Sequence, residues 1–285
     1  MAKAKGTANE MSFLGHLEVL RWHLIRSVVA ALIMMIAAFL FRDLVFNGII
    51  LSPRNPDFIS NRMFNQFGQW IGDLLGKETP AMAINKTPLT LVNIEMAGQF
   101  MSHVKISLIA GLILASPYII WELWKFIAPA LHENEKKYAG VAVFSISSLF
   151  IIGILFGYFI ITPLSIDFLS TYLVSKDVIN TIKLNSYIST VTTVTFATGL
   201  VFELPVVAYF TSAIGIVTPE FLKKYRRHAY VILLIIAAII TPPDVFSQIL
   251  VCIPLIILYE ISIYISRFVV KRKKKRELLE ESGIS

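Results

Sequence analysis

Six apolar stretches divide the chain, at residues 24–46, 100–121, 139–161, 187–214, 229–240 and 245–268, and the charged residues collect between them. A helix rising 1.5 Å per residue needs about 20 residues to cross roughly 30 Å of hydrocarbon. Five of the stretches meet that length. The fifth in order, 229–240, is short, and its helix would reach about 18 Å. It is either a short crossing or a re-entrant segment. The pattern predicts an all-α, polytopic membrane protein. It has an N-terminal segment 1–23, a six-span membrane domain 24–268 and a basic tail 269–285. Between the first two stretches, NRMFNQFGQWIGDLL has the spacing of an amphipathic helix lying over a membrane surface.

Lysine and arginine decide between the two readings of 229–240. With six crossings, 18 of the 26 basic residues fall on the side of both termini and 8 on the other. Cytoplasmic loops carry the basic excess, so both termini are expected in the cytoplasm. A re-entrant fifth segment would put the KRKKKR run, Lys271 to Arg276, on the outer side, against that rule. A short true span is therefore expected, with the membrane thinned or flanking side chains reaching outward. TPPD, Thr241 to Asp244, is read as a tight outer turn whose prolines end the fifth helix. The terminal ELLEESGIS is polar and reads as disordered.

Composition agrees with this architecture and narrows the chemistry. Hydrophobic residues make up 56% of the 285 and charged residues only 16%, well outside the usual soluble range. The polar start MAKAKGTANE and a first apolar run longer than a secretory h-region read as a first membrane helix. One cysteine, Cys252, excludes an internal disulfide framework. Histidines 16, 23, 103, 132 and 228 show no metal-ligand spacing, and no nucleotide-binding or hydrolase motif is present. No metal, cofactor or catalytic residue is expected.

Carboxylates within or beside the apolar runs are the functional candidates, because a charge at membrane depth is costly. Glu203 lies deepest, with Gly199, Thr195 and Thr192 on helical steps leading to it. Glu260 lies nearer the cytoplasmic end of the last run and bonds within the bundle or joins a proton path. Glu122 stands between Trp121 and Trp124. There an interfacial aromatic belt with Tyr118 is the simpler reading. Asp244 is placed to cap the last helix. The loop WKFIAPALHENEKKY adds Glu133 and Glu135 on the basic side. There acid does nothing for orientation, and it either complements a helix dipole or recognises a cation. An ion-coupled transporter using Glu203 and Glu260 and a membrane transferase are the rival functions. The lack of an internal repeat and of polar groups on the first and third spans counts against the transporter. The lack of a paired nucleophile and base counts against the transferase.

Four segments carry a family resemblance: HLEVLRWHL (16–24), FIAPALHENEKK (126–137), FELPVV (202–207) and TPPDVFSQ (241–248). In this order, over nearly the whole chain, they resemble TatC, the receptor subunit of the twin-arginine protein translocase. The resemblance implies six helices in a concave, glove-like wall in the bacterial inner membrane. It implies binding of twin-arginine signal peptides of folded precursors at the cytoplasmic face. It also implies assembly with the single-span TatA and TatB in a multi-copy complex, contact with membrane lipid, and transport driven by the proton-motive force without ATP. Nucleic acid has no part in it. By the same resemblance Phe126 and Glu135 bind the signal peptide, assisted by Glu122, which stands where the family has Gln or a similar residue, and by Glu18. Glu203 is the intramembrane acid, Asp244 the outer-turn acid, and Thr241 and Gln248 meet partner helices. Phe100 matches a family aromatic. One motif departs from the family. The usual HLxELRxRL holds Glu where this chain has Val19, with the acid one residue earlier at Glu18 and His23 in place of the later Arg. On a helix that shift is a rotation of about 100°.

Overall fold

The computed structural model describes residues 13–75, 85, 89–127, 139–175, 177, 180–241 and 245–281. Ten α-helices carry the described fold: α1 (Phe13–Leu40), α2 (Ile59–Leu75), α3 (Gly98–Ile127), α4 (Ala139–Phe156), α5 (Thr162–Thr171), α6 (Leu184–Val201), α7 (Leu204–Ala213), α8 (Pro219–Lys224), α9 (Arg226–Ile240) and α10 (Val245–Glu281). Wide π turns at Asp43–Ile50 and Gly157–Ile161 extend α1 and join α4 to α5. Strand pairing is confined, among the described residues, to Leu91–Val92 against Ile182–Lys183. This short parallel ladder ties the segment before α3 to the segment before α6.

Among the described residues five helical segments are long and apolar enough to cross a membrane: Leu17–Leu40, Gly98–Ile127, Ala142–Thr171, Leu184–Ala213 and Ser247–Arg272. The expected fifth span is α9, whose 15 residues reach about 22 Å. Its start shares an end of the bundle with Glu260, through Arg226. The following helix begins beside α5, where Ser165 Oγ meets Ser247 Oγ at 3.4 Å. At 15 residues α9 is shorter than those five segments. The amphipathic stretch of the first outer loop forms α2.

Small residues let these helices approach. Lipid chains are as apolar as leucine, so close packing rather than the hydrophobic effect holds membrane helices together. Gly111 of α3 lies against the backbone of Met35 in α1, where an added Cβ would stand 2.5 Å from the Met35 nitrogen. Gly153 and Gly199 face each other between α4 and α6. Hydroxyls bridge elsewhere: Ser212 Oγ of α7 donates to Ser266 Oγ of α10 at 2.7 Å. At the end away from the basic clusters, Tyr187 donates to the Ile50 carbonyl at 2.9 Å and Tyr158 to Ile49 at 2.6 Å, closing the outer segment over α4 and α6.

Two expectations change and a third point is settled. The fourth apolar run is two helices, α6 and α7, parted at Phe202 and Glu203. Pro205 sits in the first turn of α7, where its missing N–H is tolerated, and it cannot continue the ladder of α6. Of the terminal ELLEESGIS, the described residues 277–281 are helical, not disordered, because Leu and Glu favour helix and α10 continues from the membrane segment. The segment HLEVLRWHL is regular helix from Phe13 onward, so the rotation between Glu18 and Val19 stands as a real change of face.

Candidate functional site

The basic end of the bundle brings α1, α3 and α7 together. The last turns of α3 carry Trp121, Glu122, Trp124, Lys125 and Phe126, and successive positions of this run face different neighbours. Trp124 is buried and packs on Phe210 of α7, ring centroids 5.6 Å apart. It is therefore core and not part of an interfacial belt, since α7 covers the face it occupies. Trp121 is exposed, with Lys125 Nζ 5.3 Å from its ring centroid.

Glu122 faces α1. The residue is 1% exposed, and its Oε2 lies 2.5 Å from Nδ1 of His23, 99 residues away in sequence. Lys125 Nζ donates to Oε1 at 3.2 Å, and Arg26 Nη1 of α1 lies 3.9 Å from Oε2. One buried carboxylate is thus shared by three basic side chains. The His23 ring also meets Phe126, edge to face, with centroids 6.4 Å apart and planes at 62°. Phe126 is one helical turn beyond Glu122, so a single α1 side chain spans both. Glu18 is exposed and stands about 140° round α1 from His23, while Val19 lies about 40° from it. Glu18 thus lies off the face that meets α3. Glu133 and Glu135 lie outside the described residues.

The second acid, Glu203, stands at the junction of α6 and α7. It lines an apolar cavity of about 390 Å³ with Leu112, Ser116, Phe150, Phe196 and Phe210. No side-chain donor reaches either of its oxygens among the described residues. Thr192 and Thr195 of the expected polar stripe line a second, larger apolar cavity of about 780 Å³ between α3, α4 and α6. Gly199 instead packs on α4. Both cavities are lined by α3, α4 and α6.

The remaining candidates separate. Glu260 is engaged within the bundle: Arg226 Nη2 donates to it at 2.6 Å and the Tyr230 hydroxyl at 2.6 Å. Thr241 is buried and donates to the Ala237 carbonyl of its own helix at 2.9 Å. Gln248 Nε2 donates to the Leu234 carbonyl across the α9–α10 contact at 3.2 Å. Asp244 lies outside the described residues. Phe100 is exposed near the start of α3. In the sequence His23 stands out only as a departure from the motif, and Arg26 and Lys125 only as basic residues; none is marked there as a partner of Glu122. The signal was the pairing of two departures, His for Arg at 23 and an acid at 122.

Residues 15–254 match the family model for Sec-independent protein translocase protein (TatC). The chain belongs to the TatC family. It is 41% identical over 269 residues to the TatC of Blattabacterium sp. subsp. Periplaneta americana, covering 94% of this chain and all of that protein. It is 42% identical over 189 residues to the Helicobacter pylori TatC, covering 66% of this chain and 74% of that one. Among solved structures it is similar to twin arginine translocase receptor TatC in DDM, with a TM-score of 0.68 and 34% identity over 88% of this chain and 99% of the other. This TatC family member is a multi-pass protein of the bacterial inner membrane and a component of the Sec-independent translocase. Its family is one of translocase components rather than enzymes.

Proposed function

We propose that this chain is the signal-peptide receptor of its translocase. It takes twin-arginine peptides at the basic end and assembles with TatA- and TatB-type single-span subunits for export driven by the proton-motive force. The observation that supports the reading is the end of α3. Phe126 is half-buried in the last turn of α3, and Glu133 and Glu135 follow it by seven and nine residues in the sequence. An aromatic ring with acids close after it in sequence suits a ligand with two arginines followed by an apolar residue. Arginine meets carboxylate by two parallel bonds, which lysine cannot make. Capture of a twin-arginine peptide by the purified chain, with a twin-lysine peptide as control, tests the reading. Equal capture of both would sink it. The transporter alternative loses ground to the engagement of Glu260, its second expected carboxylate, by Arg226 and Tyr230.

The orientation goes with this function, because the peptide arrives from the cytoplasm. A reporter fused after Arg276 is expected to read cytoplasmic. A signal from the outer side would remove α9 as a crossing and place the acidic loop out of reach of precursors.

Partner helices are proposed to dock beside α9 and α10. Gln248 is the better placed of the two expected contacts. Its amide nitrogen holds Leu234, and its carbonyl oxygen has no partner among the described residues. The Thr241 hydroxyl is turned onto its own helix. Polar atoms facing lipid without a partner are costly. Gln248→Leu is expected to reduce cross-linking to a TatA- or TatB-type helix severalfold, and Thr241→Val to reduce it less. Unaltered cross-linking and normal transport in the Gln248→Leu variant would refute the contact.

A further inference from the structure

The His23–Glu122 contact changes what Glu122 does in the proposed receptor. An acid that binds a peptide's arginine must offer its oxygens to solvent or to the ligand. Glu122 does not: it is 1% exposed and already meets His23, Lys125 and Arg26. Freeing it would require α1 to move off α3, and these two helices are locked by the close crossing at Gly111 and Met35. The carboxylate therefore acts on the protein's own side chains. It holds the imidazole by Nδ1, and the imidazole presents its ring to Phe126.

We propose that His23 and Glu122 are a positioning pair that sets the Phe126 ring for the apolar residue of the bound peptide, with Glu122 making no contact with the arginines. The proposal rests on the signal-peptide reading above and refines it. The order of contact is Glu122 to His23 to Phe126. Glu122 and Phe126 lie on the same face of α3, one turn apart, and His23 reaches across from α1 to both. The pair thereby governs selectivity for the residue that follows the arginines, while arginine recognition belongs to the acidic loop.

The test uses the full chain in nanodiscs and three labelled peptides: twin-arginine followed by Leu, twin-arginine followed by Ala, and twin-lysine followed by Leu. Wild type should prefer Leu to Ala by about tenfold, the scale of one well-placed apolar side chain in a pocket. His23→Ala and Glu122→Ala should each shrink that preference to about twofold and leave the arginine-to-lysine ratio unchanged. The double variant should do no more than either single, because both act through one contact. Glu122→Gln keeps an acceptor for the His23 N–H and the side-chain shape, so it should bind all three peptides as wild type does. It also serves if Glu122→Ala fails to fold. A Glu122→Gln variant with a lowered arginine-to-lysine ratio and an intact Leu preference would make Glu122 a direct ligand and overturn the proposal. An unaltered Leu preference in a folded His23→Ala protein would overturn it too. Failure of the underlying receptor reading looks different: wild type itself would not distinguish twin-arginine from twin-lysine.

Discussion

Glu135→Gln is expected to weaken binding of a twin-arginine peptide by about tenfold while the protein still folds and inserts. In the proposed site this acid meets an arginine at the membrane surface, where the pair is partly desolvated. A hydrogen bond to a charged group in such a setting contributes about 1.5–3 kcal/mol. Each 1.4 kcal/mol or so is a factor of ten in affinity. A fully solvated pair would contribute under about 1 kcal/mol, so the size of the loss reports the environment as well as the contact. Glu133→Gln should do much less, since that position lies off the family motif. Twin-lysine peptides should bind the wild type worse than twin-arginine peptides, and Glu135→Gln should narrow the gap. Peptide titrations in nanodiscs at matched salt decide the matter. Equal affinities for wild type and Glu135→Gln would return this carboxylate to a plain role beside a helix start. With Glu122 enclosed by α1 and α3 and Glu18 off the face of α1 that meets α3, the expected loss concentrates on Glu135.

Gly111→Leu is expected to destabilise the protein by about 3 kcal/mol, at the upper end of ordinary overpacking. The Cβ alone would fall 2.5 Å from the Met35 nitrogen and 2.6 Å from its Cα, and backbone atoms cannot swing aside as a side-chain tip does. Relief requires α1 to part from α3. Among the described residues α3 is the main partner of α1, so little else holds that helix. Thermal unfolding in detergent should show a clearly lowered midpoint, and the His23–Glu122 contact should be lost with it. Gly140→Leu is the control: nothing lies within 4 Å of a Cβ there, and its midpoint should stay near wild type. A Gly111→Leu protein as stable as wild type would mean that α1 is held by something other than this crossing.

Much of this protein was legible in the linear order of its residues. Hydropathy is a local sum, so the apolar runs found their helices, and the weak length of 229–240 reappeared as the 15-residue α9. Amphipathic spacing placed α2. The four motifs identified the family, since their order survives without any knowledge of contacts. Other features were outside the reach of local pattern. A hydropathy average runs smoothly over FELP and hides the break between α6 and α7, which one missing N–H at Pro205 produces. Charge and depth marked Glu122, Glu203 and Glu260 alike, yet their surroundings differ completely. Glu260 is clamped by Arg226 and Tyr230, Glu203 looks into an apolar cavity, and Glu122 is shared by residues of two helices. The partner of Glu122 is 99 residues away, and only the close approach of α1 to α3 brings His23 to it. Spacing along a chain fixes which side chains share a face of one helix; which face meets which neighbour follows from packing, and packing is settled only when every helix is in place.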